Sequence, residues 1–286
     1  MSSENFPAAI NAELDRRDFL KSIGLSGLLG FGMCSCGGCR TTPITHRNQV
    51  LLIPESQEIQ MGVTAYDDVK KKNRLSTNVQ YNAVISRVGQ RLAAISGRPD
   101  YQWEFTVIAD KTQNAFCLPG GKVAFYEGII PVCENEAGVA VVMSHEISHA
   151  LARHGGERMT EQLEANVASK IAQVVFQRGL GANAQLATSV YGAVEKGVLL
   201  RYSRSQESEA DEMGIHIMAQ AGYDPNEAPL FWRRFAANHA GQKSIELMST
   251  HPSDERRAAD LQRILPNAQR EYEAAPNKHG LGEQIA

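Results

Sequence analysis

The sequence has no apolar run approaching the ~20 residues that a membrane-spanning helix needs, so it predicts no transmembrane segment. It also lacks any excess of positive charge. Its 29 Lys and Arg stand against 32 Asp and Glu, a net charge of −3, and nothing in that balance points to nucleic acid. The short basic run Lys70-Lys71-Lys72-Asn73-Arg74 reads as a solvated helix face. No internal repeat or low-complexity tract is present, which excludes a solenoid or a biased array. Cysteine is sparse, five in 286 residues, and falls into two groups. Cys34, Cys36 and Cys39 cluster in a Gly-rich stretch that makes a poor metal cage. Cys117 and Cys133 lie in the body, where they either pair in an oxidising compartment or stay as two buried thiols; spacing alone does not decide. The 43% of apolar residues suffices for a sizeable core in one large domain or two small ones.

What is present is His145-Glu146-Ile147-Ser148-His149, an H-E-x-x-H pattern within an apolar helical run from Ala137 to Leu151. Histidines four residues apart lie on one helix face, one turn apart, so both rings can point at one Zn²⁺. Glu146 falls near the same metal, where it can act as general base. A surface helix with two stray histidines is the bland alternative. The preceding Gly138-Val139-Ala140-Val141-Val142-Met143 is too apolar for an exposed helix and opposes it.

The N-terminus reads as an address. Asp15-Arg16-Arg17-Asp18-Phe19-Leu20-Lys21 resembles the twin-arginine export signal, with Asp15 where the pattern has Ser or Thr. A Gly-rich, weakly apolar stretch from Ser22 to Met33 follows, too short to span and suited to a signal core. Residues 1–35 are therefore expected to be a signal peptide of possible lipoprotein type, and 36–50 a tether. Cys36, after the small Ser35, is the preferred lipidation site, with Cys39 and then Cys34 behind it. No ideal Leu stands three residues upstream of any of them. The localisation expected is the periplasm, free or through a lipid anchor in the membrane.

Helical pieces are predicted at Pro54–Gly62 and Asp67–Lys72, and Val79–Ser96 carries Val84, Ile85, Val88, Leu92 and Ile95 at helical spacing. Trp103–Ala109 and Lys122–Tyr126 read as partner strands, the latter after a Pro119-Gly120-Gly121 turn. Asn114 and Ala115 are expected on a strand edging a cleft, where an extended polypeptide can bind by strand addition. Further helices are predicted at Arg158–Gln177, Gln185–Leu200, Ser205–Ala221, Pro229–His239 and Asp254–Leu265, with a polar, poorly ordered tail from Pro266. The class is α+β, mostly helical with a small sheet, and the domain covers residues 51–265 with the tail at 266–286.

Catalytic zinc usually has three protein ligands, and Glu207-Ser208-Glu209-Ala210-Asp211 supplies candidates for the third. Glu207 and Asp211 share a helix face, one turn apart, while Glu209 points roughly the opposite way. One of the pair can bind zinc while the other orients a histidine through its second ring nitrogen. His154, nine residues past His145 and roughly opposite on an extended helix, is not expected at this metal, and His216 reads as a helix-face residue.

With H-E-x-x-H followed by E-x-x-x-D, the chain resembles the gluzincin peptidases that include the CAAX prenyl protease, HtpX, the periplasmic BepA and LoiP and the mitochondrial Oma-type protease. The periplasmic branch is the most similar, through Asn114-Ala115-Phe116 with Pro119-Gly120-Gly121, Tyr202-Ser203-Arg204 and Thr250-His251-Pro252. The resemblance covers roughly residues 50–265. It implies a zincin-type fold, one Zn²⁺ held by His145, His149 and Glu207, and Asp211 behind a ligand. It also implies that His251 either masks the zinc as a latch or stabilises the transition state. Arg204 is a second candidate donor to the oxyanion and, with Asn114 and Ala115, an expected substrate contact. The expected function is an envelope zinc endopeptidase acting on unfolded or misassembled polypeptides, with assembly partners there and no nucleic acid. The alternative is an envelope chaperone or scaffold with a latched, largely inactive site.

Overall fold

The computed structural model describes residues 39–164, 202–238, 247, 251, 255–280, 282, 284 and 285. The expected signal segment, Cys34, Cys36 and most of the helices predicted at 158–177 and 185–200 lie outside these residues. The described chain is α+β. Strands β1 (Cys39–Thr41) and β2 (Asn48–Val50) precede helices α1 (Glu55–Lys72) and α2 (Val79–Ile95). Strands β3 (Glu104–Ile108), β4 (Ala115–Leu118) and β5 (Lys122–Tyr126) follow. Then come α3 (Ile130–Cys133), α4 (Glu136–Leu151), a helical stretch at 154–164, α5 (Arg204–Gln220), α6 (Glu227–Asn238) and α7 (Glu255–Ala274).

Helix α2 forms where its apolar residues repeat, and Val84, Ile85, Val88 and Leu92 are buried along one face. Asn78 caps it by accepting the Tyr81 N–H at 3.0 Å, and Gly97 follows its end at φ 68°. The larger sheet has the order β3-β5-β4, with β3 parallel and β4 antiparallel to β5. Gly120 and Gly121, at φ 88° and 79°, make the β4–β5 turn that the sequence signalled. Ala115 thus lies on an edge strand, and no strand covers the outer side of β4 among the described residues.

Helix α4 carries the H-E-x-x-H motif and is buried on every side. A helix apolar all round belongs in a core, and α4 packs on β4, α2 and α5. Asn135 caps it by accepting the Gly138 N–H at 2.9 Å. Helix α5 begins with a capping box in which Ser203 and Gln206 bond each other's backbone N–H. It crosses α4 at Gly214, where a Cβ would stand 3.1 Å from the His145 backbone nitrogen. A side chain there would force the two helices a few tenths of an ångström apart.

Four expectations differ from what forms. The two pieces before Lys72 are one helix, α1, in which Tyr66 is buried and bonds Thr106 Oγ1 at 2.6 Å. Of the tether expected at 36–50, residues 39–50 form the β1–β2 hairpin, because Arg47 and Thr45 find partners on the domain. Helix α7 runs through Pro266 to Ala274. An interior proline costs about 3 kcal/mol. Burial of Leu261 and Ala268, with Ile264 and Leu265 packed beside them, offsets it at roughly 1.5–3 kcal/mol per large apolar side chain. Described residues after Ala274 also pack on the domain: Ile285 is buried, its N–H reaches Glu134 O at 3.0 Å, and Gln80 Nε2 reaches its carbonyl at 2.7 Å.

Candidate metal centre

Helix α4 presents His145 and His149 one turn apart, and α5 brings Glu207 to them. His145 Nε2 and His149 Nε2 stand 3.1 Å apart. Glu207 Oε2 lies 3.5 Å from the first, and Oε1 lies 3.4 Å from the second. His251 enters from the far end of the sequence, its Nδ1 3.3 Å from His145 Nε2 and 2.9 Å from Glu207 Oε1. The four residues each offer one donor atom within 4.8 Å of the others, and all are buried. Glu146 completes the group, with Oε1 3.5 Å from His251 Nε2.

His145, His149 and Glu207 are each held from behind. Asp211 Oδ1 lies 2.9 Å from His145 Nδ1, which leaves Nε2 facing the cluster. Arg257 grips Asp211 with two bonds, of 2.6 and 2.8 Å, and its Nη1 lies 3.0 Å from Glu207 Oε2. That buried guanidinium stacks 4.0 Å over the Trp232 ring. His149 stacks on Tyr202 at 3.8 Å, and its Nδ1 meets His154 Nδ1 at 2.9 Å. His154 Nε2 in turn meets Glu209 Oε2 at 3.1 Å. His154 is not opposite His145, as an extended helix would have it. The helix ends at Leu151, and Arg153 turns into the left-handed region at φ 56°. That turn brings His154 back to His149, and Arg153 itself pairs with buried Glu58 at 2.7 and 3.1 Å.

Burial works against a charged His145 ring, but Asp211 and Glu207 beside it outweigh this and push its pKa up to about 9. Burial pushes His149 well below the ordinary histidine value. It also pushes the Glu146 carboxyl up, against the pull of His251 and His145. Burial opposes ionisation of Glu207 and Asp211 as well, yet the histidines hold Glu207 well below the usual carboxylate range and Arg257 holds Asp211 below it.

The donors fit a divalent cation. Two nitrogens about 2.0–2.1 Å from a tetrahedral zinc stand roughly 3.3 Å apart; His145 and His149 stand 3.1 Å apart, and Glu207 lies 3.5 and 3.4 Å from them. Glu146 Oε1 is buried with no hydrogen-bond partner, a cost that the water of a bound cation relieves. Two histidines and a glutamate are a donor set that zinc takes in catalytic sites. Cys117 and Cys133 are both free and buried, and stand outside the set.

Asn114 is buried and its side chain accepts the Ala115 N–H at 2.9 Å, at the start of the edge strand. Arg204 is exposed, three residues before Glu207. Beside β4 a cavity of about 360 Å³ opens between α1 and the end of α4. Met61, Phe116, Leu118 and Met159 line it, and His149 and Tyr202 reach it from the metal side.

The fold and the donor set define a metal centre of the zincin class, with the glutamate of a second helix joining the two histidines of a buried one. The chain belongs to Peptidase family M48, whose profile matches residues 80–265. It is 36% identical over 243 residues to the mitochondrial metalloendopeptidase OMA1 of Schizosaccharomyces pombe, covering 83% of this chain and 69% of that protein. The OMA1 of Saccharomyces cerevisiae is 37% identical over 292 residues, 92% and 82% of the two chains. The beta-barrel assembly-enhancing protease of Escherichia coli is 27% identical over 213 residues, 71% of this chain and 43% of the relative.

Sequence reasoning did not single out Arg257, Glu58 or Arg47. Nothing in their spacing marks them, since their partners lie 46, 95 and 162 residues away.

Proposed function

We propose that this metallopeptidase is a zinc-dependent endopeptidase of the bacterial cell envelope that cleaves unfolded or misassembled polypeptides. The observation that carries the reading is Glu207 standing within 3.5 Å of both motif histidines, with Glu146 beside them. His145, His149 and Glu207 would hold the ion. When bound, zinc polarises a scissile carbonyl and acidifies a water towards a pKa of ~7. Glu146, raised by burial, takes the proton of the attacking water and hands it to the leaving nitrogen. Asp211 keeps the proton of His145 on Nδ1, so that Nε2 faces the ion. His251 occupies the cluster as a latch that withdraws when substrate arrives.

An extended substrate would lie along the open edge of β4 at Asn114 and Ala115, with Arg204 as a further contact. The neighbouring cavity, lined by Met61, Phe116, Leu118 and Met159, suits an apolar side chain of the kind that unfolded proteins expose. Resemblance of Asp15–Lys21 to the twin-arginine signal supports export, and Cys36 remains the proposed lipid-bearing residue. The name of the Escherichia coli relative, a beta-barrel assembly-enhancing protease, supports clients or partners in β-barrel assembly.

Glu146→Gln tests the chemistry. It should retain one zinc per chain yet cleave casein about 10²–10⁴-fold more slowly; a fully active variant would sink the assignment. Cys36→Ser tests the anchor: it should abolish incorporation of a labelled fatty acid, and unchanged labelling removes Cys36 from that role.

A further inference from the structure

We infer that the N-terminal β1–β2 hairpin is part of the metal centre, with Arg47 setting the orientation of the His149 ring through Glu209 and His154. The inference rests on the reading that His149 holds the ion. Three features support it.

The first is continuity. His149 Nδ1 meets His154 Nδ1 at 2.9 Å, and His154 Nε2 meets Glu209 Oε2 at 3.1 Å. Arg47 Nε donates to that same Oε2 at 2.6 Å, and Thr45 donates to Oε1. The other two nitrogens of Arg47 grip Glu157 at 2.6 and 2.8 Å, and Gln206 donates to Glu157 at 2.8 Å. Arg47 therefore ties the stretch after α4 to the start of α5, the two elements that carry His154 and Glu209.

The second is direction. A carboxylate only accepts, so His154 must carry a proton on Nε2 to bond Glu209. In the neutral ring Nδ1 is then an acceptor, and His149 donates to it from Nδ1. That leaves the lone pair of His149 on Nε2, facing His145 Nε2 and Glu207. The tautomer a metal ligand needs is thus fixed by an acceptor two residues away along the network. Asp211 does the same for His145 directly; His149 has His154 in between.

The third is burial. His154 is 0% exposed and Glu209 5% exposed, so water does not replace either contact. The hairpin supplies what would otherwise be missing. Without Arg47, Thr45 and Thr42, all of the hairpin, Glu209 would be a buried carboxylate bonded to a single imidazole, free to change rotamer and release His154.

The full chain is the object of the test, with Zn²⁺ affinity measured against a chromogenic chelator and geometry read from Co²⁺ visible absorption. Glu209→Gln should weaken zinc binding about tenfold. Arg47→Ala should weaken it several-fold, and Arg47→Lys should recover part of that by keeping a charge beside Glu209. Both losses should shift the Co²⁺ bands. Arg40→Ala removes the hairpin's exposed 3.7 Å pair with Glu55 and should change neither readout. If Glu209→Gln fails to fold, Arg47→Ala alone decides. Wild-type affinity and spectrum in Arg47→Ala and Glu209→Gln, with zinc lost from His149→Ala, would overturn the inference alone. Zinc retained by His149→Ala would remove the metal assignment and the inference together.

Discussion

Arg257 holds both oxygens of Asp211, at 2.6 and 2.8 Å, and both side chains are buried. The same carboxylate stands 2.9 Å from His145 Nδ1, so the orientation of a metal-facing ring depends on an arginine 46 residues from Asp211 in sequence.

Removing one partner of a buried, hydrogen-bonded pair leaves an uncompensated charge, at a cost of about 3–5 kcal/mol. Arg257→Ala should therefore lower stability by that order in chemical denaturation, and weaken Zn²⁺ retention 10–100-fold. Arg257→Lys should rescue little, because an ammonium cannot reproduce the two-pronged grip or lie flat on Trp232. Wild-type zinc retention in Arg257→Ala would show that Asp211 does not need the arginine to orient His145.

The metal donors were legible because their geometry is local. Residues 145 and 149 are one turn apart by helical arithmetic, and so are 207 and 211, whatever the rest of the chain does. His154 was misplaced by the same arithmetic, which assumed that the helix continued. Arg153 ends it with a left-handed residue, and no glycine or asparagine announces the turn. Its pairing with Glu58, 95 residues away, accompanies that conformation, and such a partner is invisible to a window of sequence. Pro266 misled for a related reason. Local chemistry says stop, and the apolar contacts of Leu261 and Ala268 overrule it. The hairpin at 39–50 carries too few apolar residues to advertise a docked element; it is held by ion pairs.

Acid should act through the carboxylates that the fold keeps ionised. Burial works against ionised Glu209, but His154, Thr42, Thr45 and Arg47 outweigh it and hold the pKa down at about 2. Arg257 and His145 lower Asp211 in the same sense. A folded pKa below the unfolded one means the stabilisation is complete above the unfolded value, about 4 for these groups, and is lost as pH falls through the folded value. Stability of the chelated chain in urea should thus decline steadily below pH ~4. Glu209→Gln should flatten part of that decline while lowering the plateau at pH ~7. An unchanged slope in the variant would exclude Glu209 as a contributor.

His251 sets the last expectation. It lies within bonding distance of Glu207 and within 3.5 Å of Glu146 Oε1, where an attacking water must approach its base. A side chain in that place blocks water unless it leaves, whereas one that only donates to an oxyanion would need to stand off the carboxylates. His251→Ala should therefore raise casein cleavage several-fold at unchanged zinc content, because the donors of His145, His149 and Glu207 remain. A fall in rate at unchanged KM would assign His251 to the transition state instead. No cleavage by either wild type or variant, each loaded with one zinc, would favour the scaffold over the peptidase.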